Sequence, residues 1–597
     1  MKLLEFSRYG GGLLLVAALS GCLGGGDGGV ITATPPTMPI DTTPPPTTTF
    51  AIANPSSLLA PLGVNVEVTS SKCVTATFGA TIDASLIALP TTGASVSTAT
   101  WVAASGATPA YCRVEGFITP VDPTSFRIRY LAGLPGSWNH RSLQGGGGGN
   151  NGTAPSVTSV NGQLASAPIN YGFAVFGSDS GHANSDGNAW TTNDESAKNF
   201  GYMQMKKTYD VAMILIEKMY GEKPRFKYYY GSSQGGREGL TVGQRWANDY
   251  DGIMSDVPVV EFSSLIMSPT WNQIQQSTTM AWIPTAKGNA IRAEIMRQCD
   301  GLDNLMDGII SNYQGCRAIF DVTRGASGRN PWASKRCPAN VDPAPADTTV
   351  AACFTDGQIE TLKFLLKPYT FATPMVNGLT TFGGYMPGPG TPSLLNNTRF
   401  AGQEGGGATV FGGGLGGPMT LGTILQNLSA NPITDYVEGG AKNARRLTVS
   451  EWFDASNADL DAFYKKGGKW LMTIGTDDTT ASPASQLNYF QSVVDKMGRD
   501  KVDAFARFWV LPQAGHSASG NNANIDGNGN TITTEAMPSG IDRLYLLTQW
   551  VENNVAPGKS VVAYAANRAR PICSYPEYPK YVSGNPRAAE SFSCVAP

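Results

Sequence analysis

The sequence predicts an α/β protein with a mostly parallel sheet, and three observations carry that expectation. Strand-like apolar runs alternate with helical patterns such as residues 209–216 and 542–550, the mark of a sheet wound with helices. An aromatic run, Phe226-Lys227-Tyr228-Tyr229-Tyr230, feeds a Gly-x-Ser-x-Gly turn and then a helical segment from Arg237. The alternation stops after the strand at 252–256 and resumes before Lys469, so an insertion divides the sheet-forming parts.

The chain begins with a secretion signal. Lys2 and Arg8 give a basic start, and residues 13–19 give an apolar core too short to span a bilayer. Leu19-Ser20-Gly21-Cys22 resembles a bacterial lipoprotein cleavage box, which implies lipidation of Cys22. Leu23 after it favours the outer membrane, while ordinary export to the periplasm or medium fits the same signal. Residues 1–22 are thus read as signal and lipobox. Residues 23–55, rich in Gly, Thr and Pro, read as an extended tether.

Residues 56–258 form the first part of the sheet domain. Within it, Gly145 to Gly149 follow an apparent strand. Such a loop suits an oxyanion-stabilising backbone, a phosphate cradle or a plain linker. The phosphate reading lacks the Gly-Lys-Ser/Thr that would grip phosphate and magnesium. Next comes Gly231-Ser232-Ser233-Gln234-Gly235, the nucleophile elbow of an α/β hydrolase, with Ser233 lifted out of the sheet. Chance occurrence in a chain with 70 glycines is the competing reading. The strand before it and the helix after it favour the elbow. The Gln234 N–H, directly after the nucleophile, is one expected oxyanion donor, and the glycine loop supplies the other.

Residues 259–448 read as a lid inserted into the hydrolase domain, covering the nucleophile and shaping the acyl pocket. Residues 449–597 return to the sheet. Apolar residues 470–474 end at Gly475-Thr476-Asp477-Asp478, where the acid of a triad belongs. Asp478 is chosen with Asp477 as rival, since local chemistry does not separate neighbours. A serine needs a positioned base. Of three histidines, His140 and His182 precede Ser233, and only His516 follows in the order Ser, Asp, His. His516 follows the strand-like residues 508–511; His182 is read as a loop organiser. A non-catalytic binding lipoprotein and a peptidase with the same triad are rival functions.

Of nine cysteines, setting Cys22 aside leaves an even eight, which suits an oxidising compartment. Sequential pairing is expected: Cys73–Cys112, Cys299–Cys316, Cys337–Cys353 and Cys573–Cys594. No Cys-x-x-Cys occurs, so zinc is not expected. A formal net charge of −3 offers no basic surface for nucleic acid. Membrane contact is expected only through a lipid anchor, and the sequence is silent on oligomeric state.

Together the motifs resemble the tannase/feruloyl esterase family from about Cys73 to Cys594. The markers are Leu134-Pro135-Gly136-Ser137-Trp138-Asn139 running to Gly145-Gly146-Gly147, and Gly231-Ser232-Ser233-Gln234-Gly235-Gly236-Arg237-Glu238-Gly239. Asp249-Tyr250-Asp251-Gly252-Ile253, Asp459-Leu460-Asp461-Ala462-Phe463, Trp550-Val551-Glu552 and Arg570-Pro571-Ile572-Cys573 extend the match. The resemblance implies an α/β-hydrolase fold with a large lid, serine-dependent hydrolysis of small aromatic esters (feruloyl, galloyl or terephthaloyl), and the triad Ser233, Asp478, His516. It puts the upstream oxyanion glycine at Gly146. It also implies a structural Ca2+ remote from the chemistry, held by the side chains of Asp300, Asp303 and Asp307 and the carbonyls of Leu305 and Ile309. Oxygen ligands of this kind suit calcium; a solvated acidic turn is the alternative. Relatives carry a disulfide beneath the triad, where this chain has Ser232 and Ser517. Packing or a hydrogen bond must then hold the His516 loop. Arg399 lies near where the resemblance would put the lid arginine that grips a terephthalate carboxylate, but it is read as a solvent-exposed arginine, which weakens the terephthalate reading.

Overall fold

The computed structural model describes residues 59–159, 164–277, 281–324, 329–396 and 416–597. The signal, Cys22, the tether and Arg399 lie outside the described residues. Among the described residues ten strands form the central sheet. In chain order they are β1 (Thr81–Ile82), β2 (Gly93–Val102), β3 (Tyr111–Thr119), β4 (Ile128–Pro135), β5 (Arg141–Gly145), β6 (Ala174–Ser178), β7 (Phe226–Ser232), β8 (Gly252–Asp256), β9 (Lys469–Gly475) and β10 (Ala506–Leu511). Across the sheet they run β10-β9-β8-β7-β5-β6-β4-β3-β2-β1.

The sheet is mixed, which corrects the expectation of a mostly parallel one. From β10 to β6 every pair is parallel, and from β6 through β4 to β1 every pair is antiparallel. The difference shows in the side chains. β3 alternates buried and half-buried residues, as a hairpin strand with one wetter face does, whereas β8 and β10 are buried throughout. The parallel half therefore needs helices on both faces. Helices α1 (Gln204–Tyr220), α2 (Gln234–Arg245), α3 (Pro483–Met497) and α4 (Arg543–Asn553) belong to its crossovers and flanks. Of the segments expected to be helical, residues 209–216 fall within α1, and residues 542–550 fall within α4 except for its N-cap Asp542. Asp542 caps α4 by accepting the Tyr545 N–H at 3.1 Å.

Among the described residues, the chain between β8 and β9 adds no strand to this sheet. It builds its own apolar cluster around Phe262, Trp271, Ile295, Phe354, Leu362 and Phe453, closed against Trp190 and Phe200 from the segment before β7. All four expected disulfides form, the mark of a chain that folds in an oxidising compartment. Among the described residues no helix is long and apolar enough to cross a membrane.

Candidate active site

The site lies at the C-terminal ends of the parallel strands, where an α/β sheet offers a crevice. β7 ends at Ser232, and α2 begins at Gln234. Between them Ser233 takes φ 62° and ψ −121°, a strained conformation that costs about 1–3 kcal/mol and persists only when its surroundings impose it. Here they do. The Ser233 N–H donates to Asp256 O on β8 at 2.9 Å, and its carbonyl accepts the Arg237 N–H at 3.0 Å. A Cβ at Gly231 would stand 2.7 Å from Gly235 Cα, so only glycine lets strand and helix meet this closely.

His516 Nε2 lies 2.7 Å from Ser233 Oγ, and Nδ1 lies 2.7 Å from Asp478 Oδ2. A carboxylate oxygen accepts, so Nδ1 carries the ring proton and Nε2 is left to accept from the serine hydroxyl. Asp478 is buried, and its other oxygen accepts the N–H groups of Thr480 and Ala481 at 2.8 and 2.9 Å. The rival Asp477 turns away and accepts the Gly390 N–H at 2.9 Å. The structure thus joins Ser233, Asp478 and His516, and not Asp477. His140 and His182 are elsewhere. His140 bonds Glu222 and the Val64 carbonyl. Buried His182 stacks on Trp190 with ring centroids 3.9 Å apart, and burial pushes its imidazole down to about 4.

The oxyanion expectation needs one correction. Gly146 is not free to donate, because its N–H is spent on Tyr230 O at 2.8 Å, continuing the β5–β7 ladder. The next N–H, of Gly147, goes to Glu238 Oε2 at 3.1 Å. The residues of this run that line the cleft are Gly148 and Gly149. Gly147 O accepts the Gly235 N–H at 2.9 Å and so fastens the glycine run to the start of α2. Gln234 is the first residue of that helix, whose leading N–H groups have no partner within it. Glu238 organises this corner. Besides Gly147 it accepts from Asn151 Nδ2, Gln204 Nε2 and the Tyr229 hydroxyl at 2.7, 3.1 and 2.9 Å. Its four partners come from three separate segments, only Tyr229 lying near it in the chain, so the set is invisible in the sequence.

A cleft of about 870 Å³ opens over Ser233 and His516, with Gly148, Ser232, Arg543 and Tyr564 in its walls. A second recess on the lid side of Ser233 is walled by Val259, Phe262, Leu265 and Ile266. Ser232 and Ser517 both line the cleft, and Ser517 Oγ bonds Ser519 Oγ at 2.7 Å. A hydroxyl hydrogen-bonded to an unprotonated imidazole nitrogen, beside backbone N–H groups, is equipped for acyl transfer.

The chain matches the tannase and feruloyl esterase family over residues 112–595. It belongs to that family. An uncharacterized esterase of Agrobacterium fabrum is 35% identical over 540 residues, covering 86% of this chain and 91% of that one. The mono(2-hydroxyethyl) terephthalate hydrolase of Piscinibacter sakaiensis is 25% identical over 560 residues, covering 83% and 86%. The crystal structure of feruloyl esterase B from Aspergillus oryzae superposes with a TM-score of 0.66 at 23% identity, over 85% of this chain and 98% of that one. The α/β-hydrolase fold follows from that likeness. As a member of this family of esterases the protein is a carboxylic ester hydrolase, and the binding-lipoprotein reading has nothing to support it.

The acidic loop expected to hold calcium is folded between Cys299 and Cys316, which are joined. Asp300, Asp303 and Asp307 are all buried. Asp303 Oδ2 and Asp307 Oδ1 are buried without a hydrogen-bond partner among the described residues. Orphaned carboxylate oxygens are what a hard cation satisfies, so the donor set fits calcium. Arg570 already neutralises part of it, its Nη2 lying 2.5 Å from Asp307 Oδ2. The resemblance put this loop remote from the chemistry; it is hydrogen-bonded to Gln513, three residues before His516. The tight set of metal-type donors found among the described residues, Cys337, Asp342 and Cys353, is no metal site because both sulfurs are in a disulfide.

Proposed function

We propose that the protein hydrolyses esters of aromatic carboxylic acids through a serine acyl-enzyme. One observation carries this reading: the hydrogen-bonded series Ser233, His516, Asp478, with both contacts at 2.7 Å, at the base of an open cleft. Ser233 Oγ attacks the ester carbonyl carbon while its proton passes to His516 Nε2, and Asp478 steadies the resulting imidazolium. The oxyanion is met by the Gln234 N–H and by an N–H of Gly148 or Gly149. The carbonyl reforms as the alcohol departs with the proton from His516. Water then adds to the acyl-enzyme, giving its proton to His516, and the acid leaves as Ser233 regains it. The names of the relatives, a terephthalate half-ester hydrolase and feruloyl esterases, support an aromatic acyl group.

Purified protein with p-nitrophenyl acetate, methyl gallate, methyl ferulate and mono(2-hydroxyethyl) terephthalate tests both halves of the reading. Ser233→Ala is expected to lower kcat by about 10⁴-fold or more; turnover equal to wild type would remove the serine mechanism. Turnover of p-nitrophenyl acetate with none of the three aromatic-acid esters hydrolysed would remove the aromatic one.

We also infer a structural Ca2+ held by Asp300, Asp303 and Asp307 with the Leu305 and Ile309 carbonyls, where it would neutralise buried carboxylates. Metal analysis of the purified protein, with melting before and after chelation, tests it: about one calcium per chain and a lower Tm on removal are expected. Export by the N-terminal signal and lipidation at Cys22 complete the reading, and mass spectrometry of the mature N-terminus checks them.

A further inference from the structure

We infer that Gln513 is a positioning residue that holds the base and the acid of the triad against the acidic loop by hydrogen bonds. This rests on the reading of His516 as the base. Gln513 is buried and takes φ 56°, so its backbone and side chain point into two different neighbours. Its N–H donates to Thr476 Oγ1 at 2.7 Å, two residues before Asp478. Its side-chain Oε1 accepts the Ile310 N–H at 3.0 Å, and its Nε2 donates to Gly308 O at 2.6 Å. Three segments are joined through one residue: the end of β9, the approach to His516, and the loop closed by Cys299–Cys316.

Every hydrogen-bonding group this amide uses is met inside the protein, and none faces the cleft. The contact therefore acts on the reaction only through the place it gives to His516 and Asp478. The chain beyond His516 leans on the same loop. Ala523 N–H donates to Gly308 O at 2.9 Å, and Gly527 N–H to Asp300 Oδ2 at 2.7 Å. The base sits at the tip of a segment moored on both sides; on the strand side Gln513 is its tie to the acidic loop, and the Ala514 carbonyl, one residue on, accepts the Asp477 N–H at 2.9 Å. Catalytic groups displaced by about 1 Å lose on the order of 10²-fold in rate, so a mooring of this kind governs kcat rather than substrate binding.

The test is Gln513→Ala in the full-length mature protein, with Thr476→Val beside it. The second variant keeps the side-chain shape and removes only the acceptor of the Gln513 N–H. For Gln513→Ala, kcat is expected to fall by about 10- to 100-fold with KM within about threefold. The acid limb of the kcat–pH profile should move, and labelling of Ser233 by a fluorophosphonate should slow by a similar factor. Thr476→Val should change the same quantities in the same direction, by a smaller amount. A folded Gln513→Ala protein with kcat within about twofold of wild type and an unmoved pH profile overturns the inference. If Gln513→Ala does not fold, Thr476→Val decides: unchanged kcat and profile overturn it, and the same pattern of loss upholds it. Ser233→Ala is run alongside. Retained turnover there sinks the nucleophile reading itself, a result distinct from any seen with Gln513.

Discussion

Asp477 and Asp478 are adjacent in the chain and identical in chemistry, yet Asp478 meets His516 at 2.7 Å while Asp477 meets the Gly390 N–H at 2.9 Å. Asp478→Asn should reduce kcat by about 10³–10⁴-fold, because an amide no longer dictates the imidazole tautomer; Asp477→Asn should change it by less than about tenfold. Steady-state kinetics on the two variants distinguishes them. Asp477 has a separate signature in stability. Burial pushes its carboxyl from 3.8 up to about 7, with Asp478 adding to the rise and the Gly390 N–H and Arg292 opposing it. Between those values the folded chain keeps a proton that the unfolded chain has lost. Its contribution to stability is therefore full below 3.8, falls as pH rises, and is gone above about 7. Urea unfolding of Asp477→Asn across that window should show a flatter decline than wild type. Ser233 and His516 were legible in the chain because a motif and the order of three histidines single them out. Asp478 was not separable from its neighbour, since which carboxylate faces the ring depends on how one turn after β9 is oriented.

The glycine run after β5 and the elbow after β7 behave as one element, stitched by Gly147 O to the Gly235 N–H at 2.9 Å. Within that run two glycines have opposite surroundings. A Cβ on Gly146 would lie 2.7 Å from Gly235 Cα and 2.9 Å from Glu238 Oε2, whereas one on Gly148 would meet nothing within 4 Å. Gly146→Ala is expected to cost about 1–3 kcal/mol by overpacking the elbow, and Gly148→Ala less than about 0.5 kcal/mol. Chemical denaturation of the pair reads both; equal losses would contradict the packing described. Five consecutive glycines look alike in a sequence. Which N–H is consumed by the sheet, which by Glu238 and which faces the cleft is settled only when β7 and α2 are in place.

Across the whole molecule, the two parts of the sheet domain are locked by a buried cluster. Arg141 on β5 donates through Nε and Nη2 to Glu552 on α4 at 2.7 and 2.5 Å, and the Tyr228 hydroxyl donates to Glu552 at 2.6 Å. Removing one partner of such a pair strands a charge away from water. Glu552→Ala should therefore destabilise the protein by about 3–5 kcal/mol while leaving KM of the folded enzyme unchanged, since Glu552 does not line the cleft. Urea unfolding and steady-state kinetics on one preparation check both halves. The sequence by itself determined the α/β class, the elbow serine, the histidine that follows it in triad order and an even set of eight cysteines, because these rest on local patterns, chain order and parity, whereas parity leaves the pairing itself open. Tertiary structure alone decided the antiparallel half of the sheet, the choice between two aspartates, the loss of Gly146 as a donor and the reach of Gln513. Each of those depends on which polar group finds its partner first among segments tens to hundreds of residues apart, and a buried N–H or carboxylate has room for few partners.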